Sequence, residues 1–190
     1  MSTDPFRVRV QKALCAALEP IKQRSTKTGE QIPDKDFSGA VFRGRDGFGD
    51  NDPLPMISVL EPPLPIEGIV PSATNTGAMG EWDLMIQGFV PDDRENPTDP
   101  AHRLMADVKA VLAAEKKRKR ANSGGAPDPF GMGTPTSQDS RGNPSGNCVT
   151  EIKTIGAGVV RPPEIGVSNK AFFWLTLTLK IAEDNENPFM

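Results

Sequence analysis

Four carboxylates crowd one short segment of this chain, PDDRENPTDP: Asp92, Asp93, Glu95 and Asp99, with Arg94 among them. Carboxylates in such number suit acid–base work or a hard cation. A structural reading competes and is preferred. Asp99 followed by Pro100 is a helix-start signature, and acids at the positive end of a helix dipole gain about 0.3–1 kcal/mol each. Arg94 then serves as an internal counter-charge. Upstream, DGFGDNDPLPMISVLE puts Asp50, Asp52 and Glu61 at positions 1, 3 and 12 of a calcium loop. Leu54 and Pro55 stand where an EF-hand needs an oxygen ligand and a glycine, so the pattern fails where its geometry is strict. The glycines of GRDGFG do not follow GxGxxG order or open a helix, which argues against a nucleotide loop.

His102 is the single histidine and falls in the first turn of the helix that Asp99 opens, where exposure to solvent is the ordinary outcome. No GxSxG elbow is present for a nucleophilic serine. Cys15 and Cys148 lack CxxC spacing. Cys15 sits in a helical pattern among Ala and Leu, which indicates a reduced, buried thiol. No catalytic residue, cofactor site or metal site is expected.

The run KKRKR, Lys116–Arg120, has the charge for phosphate contact. It continues a helical pattern, and successive helical residues are about 100° apart, so five of them circle the axis instead of lining one face. The competing reading is a solvated last turn whose cations favour the dipole and its unpaired carbonyls. No aromatic residues interleave with the run to stack bases. An acidic partner surface and nucleic acid remain as alternatives.

The elements that must position these groups are legible in part. TDPFRVRVQKALCAALEPI has Asp4 as expected N-cap and Pro5 at the first helical position, followed by Phe6, Val10, Leu14, Ala17, Leu18 and Ile21 on one face. Residues 22–37 read as polar turns. SGAVFRGRD and LPMISVLEPP each hold a short run of strand type. Prolines then forbid central pairing, and a loose stretch leads to residue 79. Trp82, Leu84 and Ile86 alternate with polar neighbours as a strand with one buried face. The second helix carries Leu104, Val108, Val111 and Leu112 as its stripe, with Met105 beside it. CVTEIKTIGAGVV and AFFWLTLTLKIAED close the chain as a hairpin. Phe173, Leu175, Leu177, Leu179 and Ile181 make one face of its last strand; Phe172, Trp174, Thr176, Thr178 and Lys180 make the other, apolar only at one end.

The expectation is one α+β domain spanning residues 1–190: a mostly antiparallel sheet of about four to five strands with two helices packed on it, in the order α-β-β-β-α-β-β. Residues 121–147, rich in Pro, Gly and Ser, form an irregular insertion that could not bury enough apolar surface to fold alone. A neighbouring chain is the expected support for it. The chain has 190 residues, a mean hydropathy of −0.41 and a formal charge of −3. Residues 1–100 hold 10 basic and 16 acidic side chains against 12 and 9 in the remainder. That polarity suits subunits meeting head to tail and falls short of a nucleic-acid-binding composition. No apolar run approaches the roughly 18 residues of a membrane span, and no apolar signal core opens the chain. A soluble protein of a reducing cytoplasm, with no membrane partner, is expected.

With VFRGRDGFGDNDPLPMISVLEPP, EWDLMIQGFVPDDRENPTDPAHRLMADVKAVL and FWLTLTLKIAED in this order, the chain resembles the tail terminator proteins of tailed bacteriophages. These segments and the first helix cover about two thirds of it; the 121–147 insertion has no place in that pattern. The resemblance implies a structural virion protein and no enzyme: a homo-oligomeric ring, usually six copies, at the head-proximal end of the tail, assembled in the bacterial cytoplasm. The ring would stop tube growth and join tail to neck. Its partners would be the tail tube protein and the neck or head–tail connector proteins, with a passing contact to packaged DNA left open. The expected interface residues are Arg43 and Arg45 at one tip, Asp92, Asp93 and Arg94 in the acidic loop, Lys116, Lys117 and Arg118, and Phe130 and Met132 in the insertion. Another head–tail connector or minor tail protein, or a nucleic-acid-binding accessory protein using residues 116–120, are the alternative readings.

Overall fold

The computed structural model describes residues 3–45, 49, 52–62, 70–71, 77–91, 93–121, 124–138, 144–162 and 170–190. The first helix, α1 (Phe6–Leu18), buries Phe6, Val10, Leu14 and Leu18, the stripe that the three-and-four spacing calls for. Its start differs from the expectation. Pro5 is the cap residue and is extended (φ −64°, ψ 159°), and no side chain caps the helix. Asp4 pairs with Lys12 instead. The first helical N–H, that of Phe6, donates to the Pro188 carbonyl at 2.8 Å, so the far end of the chain supplies the acceptor a cap would have offered.

After α1 comes a hairpin, β1 (Lys22–Arg24) and β2 (Gln31–Asp36), where turns alone were expected. Its second strand is exposed along nearly its whole length, so no apolar alternation marked it. The main sheet follows: β3 (Val41–Arg43), β4 (Met56–Leu60), β5 (Val70–Pro71) and β6 (Gly77–Pro91). Next is α2 (Asp99–Lys117), which buries Leu104, Val108 and Leu112. Two short strands, β7 (Ser137–Gln138) and β8 (Pro144–Ser145), pair with each other within the insertion. Then β9 (Cys148–Ile155), β10 (Val159–Arg161) and β11 (Lys170–Asp184) complete the large sheet. That sheet has seven strands among the described residues, more than the four to five expected, because β9 and β10 both lie along β11 and β5 is added beside β6. All its pairings are antiparallel except β3 with β4, which is parallel. The fold is α+β, with two helices on a mostly antiparallel sheet.

Its spine is the β6–β11 pair, 15 residues in each strand, in register from Lys170↔Pro91 to Asp184↔Gly77. With a side-chain period of two, directly opposed residues share a face. Leu175, Leu177 and Leu179 lie opposite Ile86, Leu84 and Trp82, and none of the six is more than 1% exposed. These residues and the buried stripes of both helices form a single core cluster. Where Phe173 opposes Gly88, the ring lies over the glycine: a Cβ there would sit 2.2 Å from Phe173 Cε1. At the edge of the core, Arg7 of α1 makes two 2.8 Å hydrogen bonds to the Glu183 carboxylate and stands 5.1 Å from the Trp82 ring centroid.

The insertion corrects a second expectation: its described part is held by its own chain. α2 ends at Lys117, and Arg118 turns to an extended conformation (φ −61°, ψ 135°). Lys119 then bridges antiparallel to Pro127, flanked by hydrogen bonds from Arg120 N–H to the Ala126 carbonyl (2.9 Å) and from Asp128 N–H to the Arg118 carbonyl (3.1 Å). The chain proceeds into a one-turn 3-10 helix, Pro129–Gly131, where Phe130 adopts φ 56° and drops its ring into the core at 7% exposure. Its N–H donates to Glu115 Oε2 at 2.7 Å. Met132 packs against the same core, and its carbonyl accepts the Val149 N–H at 2.8 Å.

Candidate functional site

The acidic loop is built as a turn. Asp93 Oδ1 accepts the N–H groups of Glu95 (2.8 Å) and Asn96 (3.1 Å), which hold its carboxyl below the usual carboxylate range. The Asp99 N–H reaches the Asn96 carbonyl, and Thr98, not Asp99, stands at the cap position of α2. Asp99 lies in the first turn and pairs with Arg103 at 3.2 Å. Arg94 is exposed beside Asp93; Asp92 lies outside the described residues. His102 points to solvent from the first turn of α2. These groups make a helix entrance, and no three His, Cys, Asp or Glu side chains among the described residues converge to hold a metal ion.

At the other expected tip, Arg43 is exposed on β3 and Arg45 is turned inward on its own loop. Arg45 donates to Asp52 Oδ1 at 2.6 Å and lies 4.6 Å from the Phe42 ring centroid, while its carbonyl accepts the Ser58 hydroxyl at 2.6 Å. Asp52 also accepts the Gly49 N–H at 2.6 Å, so this carboxylate serves the loop's own geometry. Asp50, the first position of the calcium pattern, lies outside the described residues.

The basic run is divided. Lys116 donates to the Lys153 carbonyl at 2.9 Å; Arg118 lies 3.3 Å from Glu115 and 4.0 Å from Asp128; Arg120 donates to the Gly133 carbonyl at 2.5 Å. Lys117 and Lys119 are exposed. The run is therefore split between the last turn of α2 and the extended segment after it, and its arginines join the insertion to the end of α2. Phe130, expected at an interface, is buried in the chain's own core, and Met132, expected there too, packs against that core partly buried.

Sequence reasoning did not single out the outer face of the β6–β11 pair as a surface. Phe172, opposite Phe89, lies 5.9 Å from it between ring centroids and 5.7 Å from Trp174, which it stacks on. Arg161 of β10 extends over Trp174 at 5.9 Å, and Val159, directly opposite Trp174, is 43% exposed. Farther along, the same face carries Thr176, Asp83 with Thr178, and Glu81 with Lys153. The signal was the half-apolar reverse face of the last strand, apolar only at its Phe172 end. Both cysteines are buried, and burial pushes both thiols up, Cys15 to about 11. Neither has the character of a nucleophile. No helix among the described residues is long and apolar enough to cross a membrane.

Compared with protein-family models and with curated proteins, the chain matches none.

Proposed function

We propose that this chain is a structural subunit that works by contact: a ring-forming tail terminator of a tailed bacteriophage, which caps the tail tube and joins it to the neck. The observation that carries the contact reading is the outer face of β6–β11. Both helices serve one side of the sheet; the other presents Val159 and Arg161 with the half-buried Trp174 on paired strands, backed by Phe172, which is itself partly buried against the core. A rigid, partly aromatic surface loses little conformational entropy on association, and aromatic and arginine side chains are enriched at the centres of interfaces. The terminator assignment rests on the resemblance of the three segments described above. Ring closure follows when a heterologous contact repeats through a rotation that divides a full turn. Among the groups that sequence alone offered to chemistry, Asp52, Asp93 and Asp99 are engaged in local turns and ion pairs, which supports reading their loops as structure.

The mass of the purified protein in solution, alone and mixed with tail tube subunits, tests the proposal. A ring of fixed copy number that binds tube ends is the expected result. A monomer at every concentration with no affinity for tubes would refute it.

A further inference from the structure

The β1–β2 hairpin, the start of α2 and the end of β6 enclose a cleft of about 280 Å³. Its apolar lining includes Ile32, Leu54, Val90 and Leu104, and Ile32 is 36% exposed. The ionic groups at its rim are largely offset. Arg24 pairs with Asp107 at 2.7 Å and Arg103 with Asp99 at 3.2 Å, while Lys22 stands directly opposite Asp36 in the hairpin. Such a rim offers little to attract a charged ligand.

Two lining residues nonetheless carry a buried polar atom with no hydrogen-bond partner. Gln23 of β1 is 6% exposed, and its Nε2 donates to the Asp36 carbonyl at 2.6 Å. A carbonyl can only accept, so this bond fixes which end of the side-chain amide is nitrogen. Oε1 is left as a buried acceptor without a donor. Arg103 of α2 donates from Nη2 to Asp99, while its Nη1 is buried and unpartnered. The hairpin turn also confines this guanidinium: a Cβ on Gly29 (φ 71°) would lie 2.9 Å from Arg103 Nε. Buried polar atoms are nearly always paired, so an orphaned acceptor and an orphaned donor in the lining of one apolar cleft call for a partner. A carboxylate supplies acceptors alone and an ammonium donors alone. A carboxamide supplies one of each, side by side and without charge.

We infer that the cleft is a binding site for a small neutral amide with an apolar body. Its N–H donates to Gln23 Oε1, its carbonyl accepts from Arg103 Nη1, and its hydrocarbon lies on Ile32, Val90 and Leu104. Pockets for drug-sized ligands begin near about 300 Å³, so a site of this volume suits a compact molecule. The inference goes beyond the ring reading and needs one subunit only.

Titration of the isotope-labelled protein with cyclohexanecarboxamide, followed by NMR, tests it. The control is cyclohexyl methyl ketone, the same shape with a methyl in place of the NH2 group. The expected result is saturable shifts at Ile32, Val90 and Leu104, with the ketone bound at least about fivefold more weakly. Gln23→Met keeps the side-chain length and removes the acceptor, so it should bring the two affinities together. Arg103→Met removes the donor that both carbonyls use; it should weaken both ligands and keep their ratio, and it decides the matter if Gln23→Met does not fold. No shifts up to the solubility limit, or equal affinity of amide and ketone for the wild type, would overturn the site and leave the two atoms to water. A preference for the amide that survives in folded Gln23→Met, or ligand affinities unmoved in Arg103→Met, would overturn the pairing argued here.

Discussion

Phe130→Ala removes the single aromatic ring that residues 121–147 contribute to the core. The ring is 7% exposed and belongs to the cluster that includes both helices, so the change deletes buried apolar contact and leaves a cavity. Such truncations cost about 3–5 kcal/mol, a large part of a total stability of about 5–15 kcal/mol. In urea denaturation, with a slope of about 3 kcal/mol per molar, the midpoint falls by about 1–2 M. A companion variant isolates the backbone. Phe130 sits at φ 56°, a region that costs a non-glycine residue about 1–2 kcal/mol. Phe130→Gly avoids that strain and is therefore no less stable than Phe130→Ala, the reverse of their order in ordinary helix or strand. A midpoint shift below about 0.3 M for both variants would refute the claim that the insertion is pinned by its own chain, and would restore a neighbouring subunit as its support.

Three further outcomes follow from the core and its buried groups. Gly88→Ala drives a methyl to 2.2 Å from the Phe173 ring and is expected to cost about 1–3 kcal/mol, read by thermal melting; Phe173→Leu in the same chain should recover part of the loss. Leu177→Asp buries an unpaired carboxylate at a fully enclosed position, so soluble and cooperatively melting protein should not be recovered. For Cys15, burial raises the thiol from 9.0 to about 11. Below pH 9 both folded and unfolded chains keep that proton. Between pH 9 and 11 the unfolded chain loses it first, so stability declines across that window by up to about 2–3 kcal/mol. Cys15→Ala should remove that part of the decline, measured as the difference between the two proteins' urea midpoints at pH 8 and pH 11.

Patterning along the chain was enough for the two helices, the buried face of the last strand and the α+β class. In each, an apolar period of 3.6 or 2 was written out in neighbouring residues: Phe6 to Leu18, Leu104 to Leu112, Phe173 to Ile181. The half-covered reverse face of β11 was also legible, because Phe172 and Trp174 interrupt an otherwise polar series. What tertiary structure decided was every feature whose partner lies far away in sequence. The first turn of α1 is completed by Pro188, and Asp4 pairs with Lys12. The β1–β2 hairpin has almost no buried face and therefore no periodic signal. Arg45 reads as a surface charge until Asp52 and Phe42 are placed around it. The insertion shows the limit most clearly. Its composition is that of a segment unable to fold alone, and it does not: it borrows a core from α1, α2 and the sheet through one ring at a left-handed backbone position. Local composition sets what a segment can bury by itself; only the folded chain decides what it is buried against.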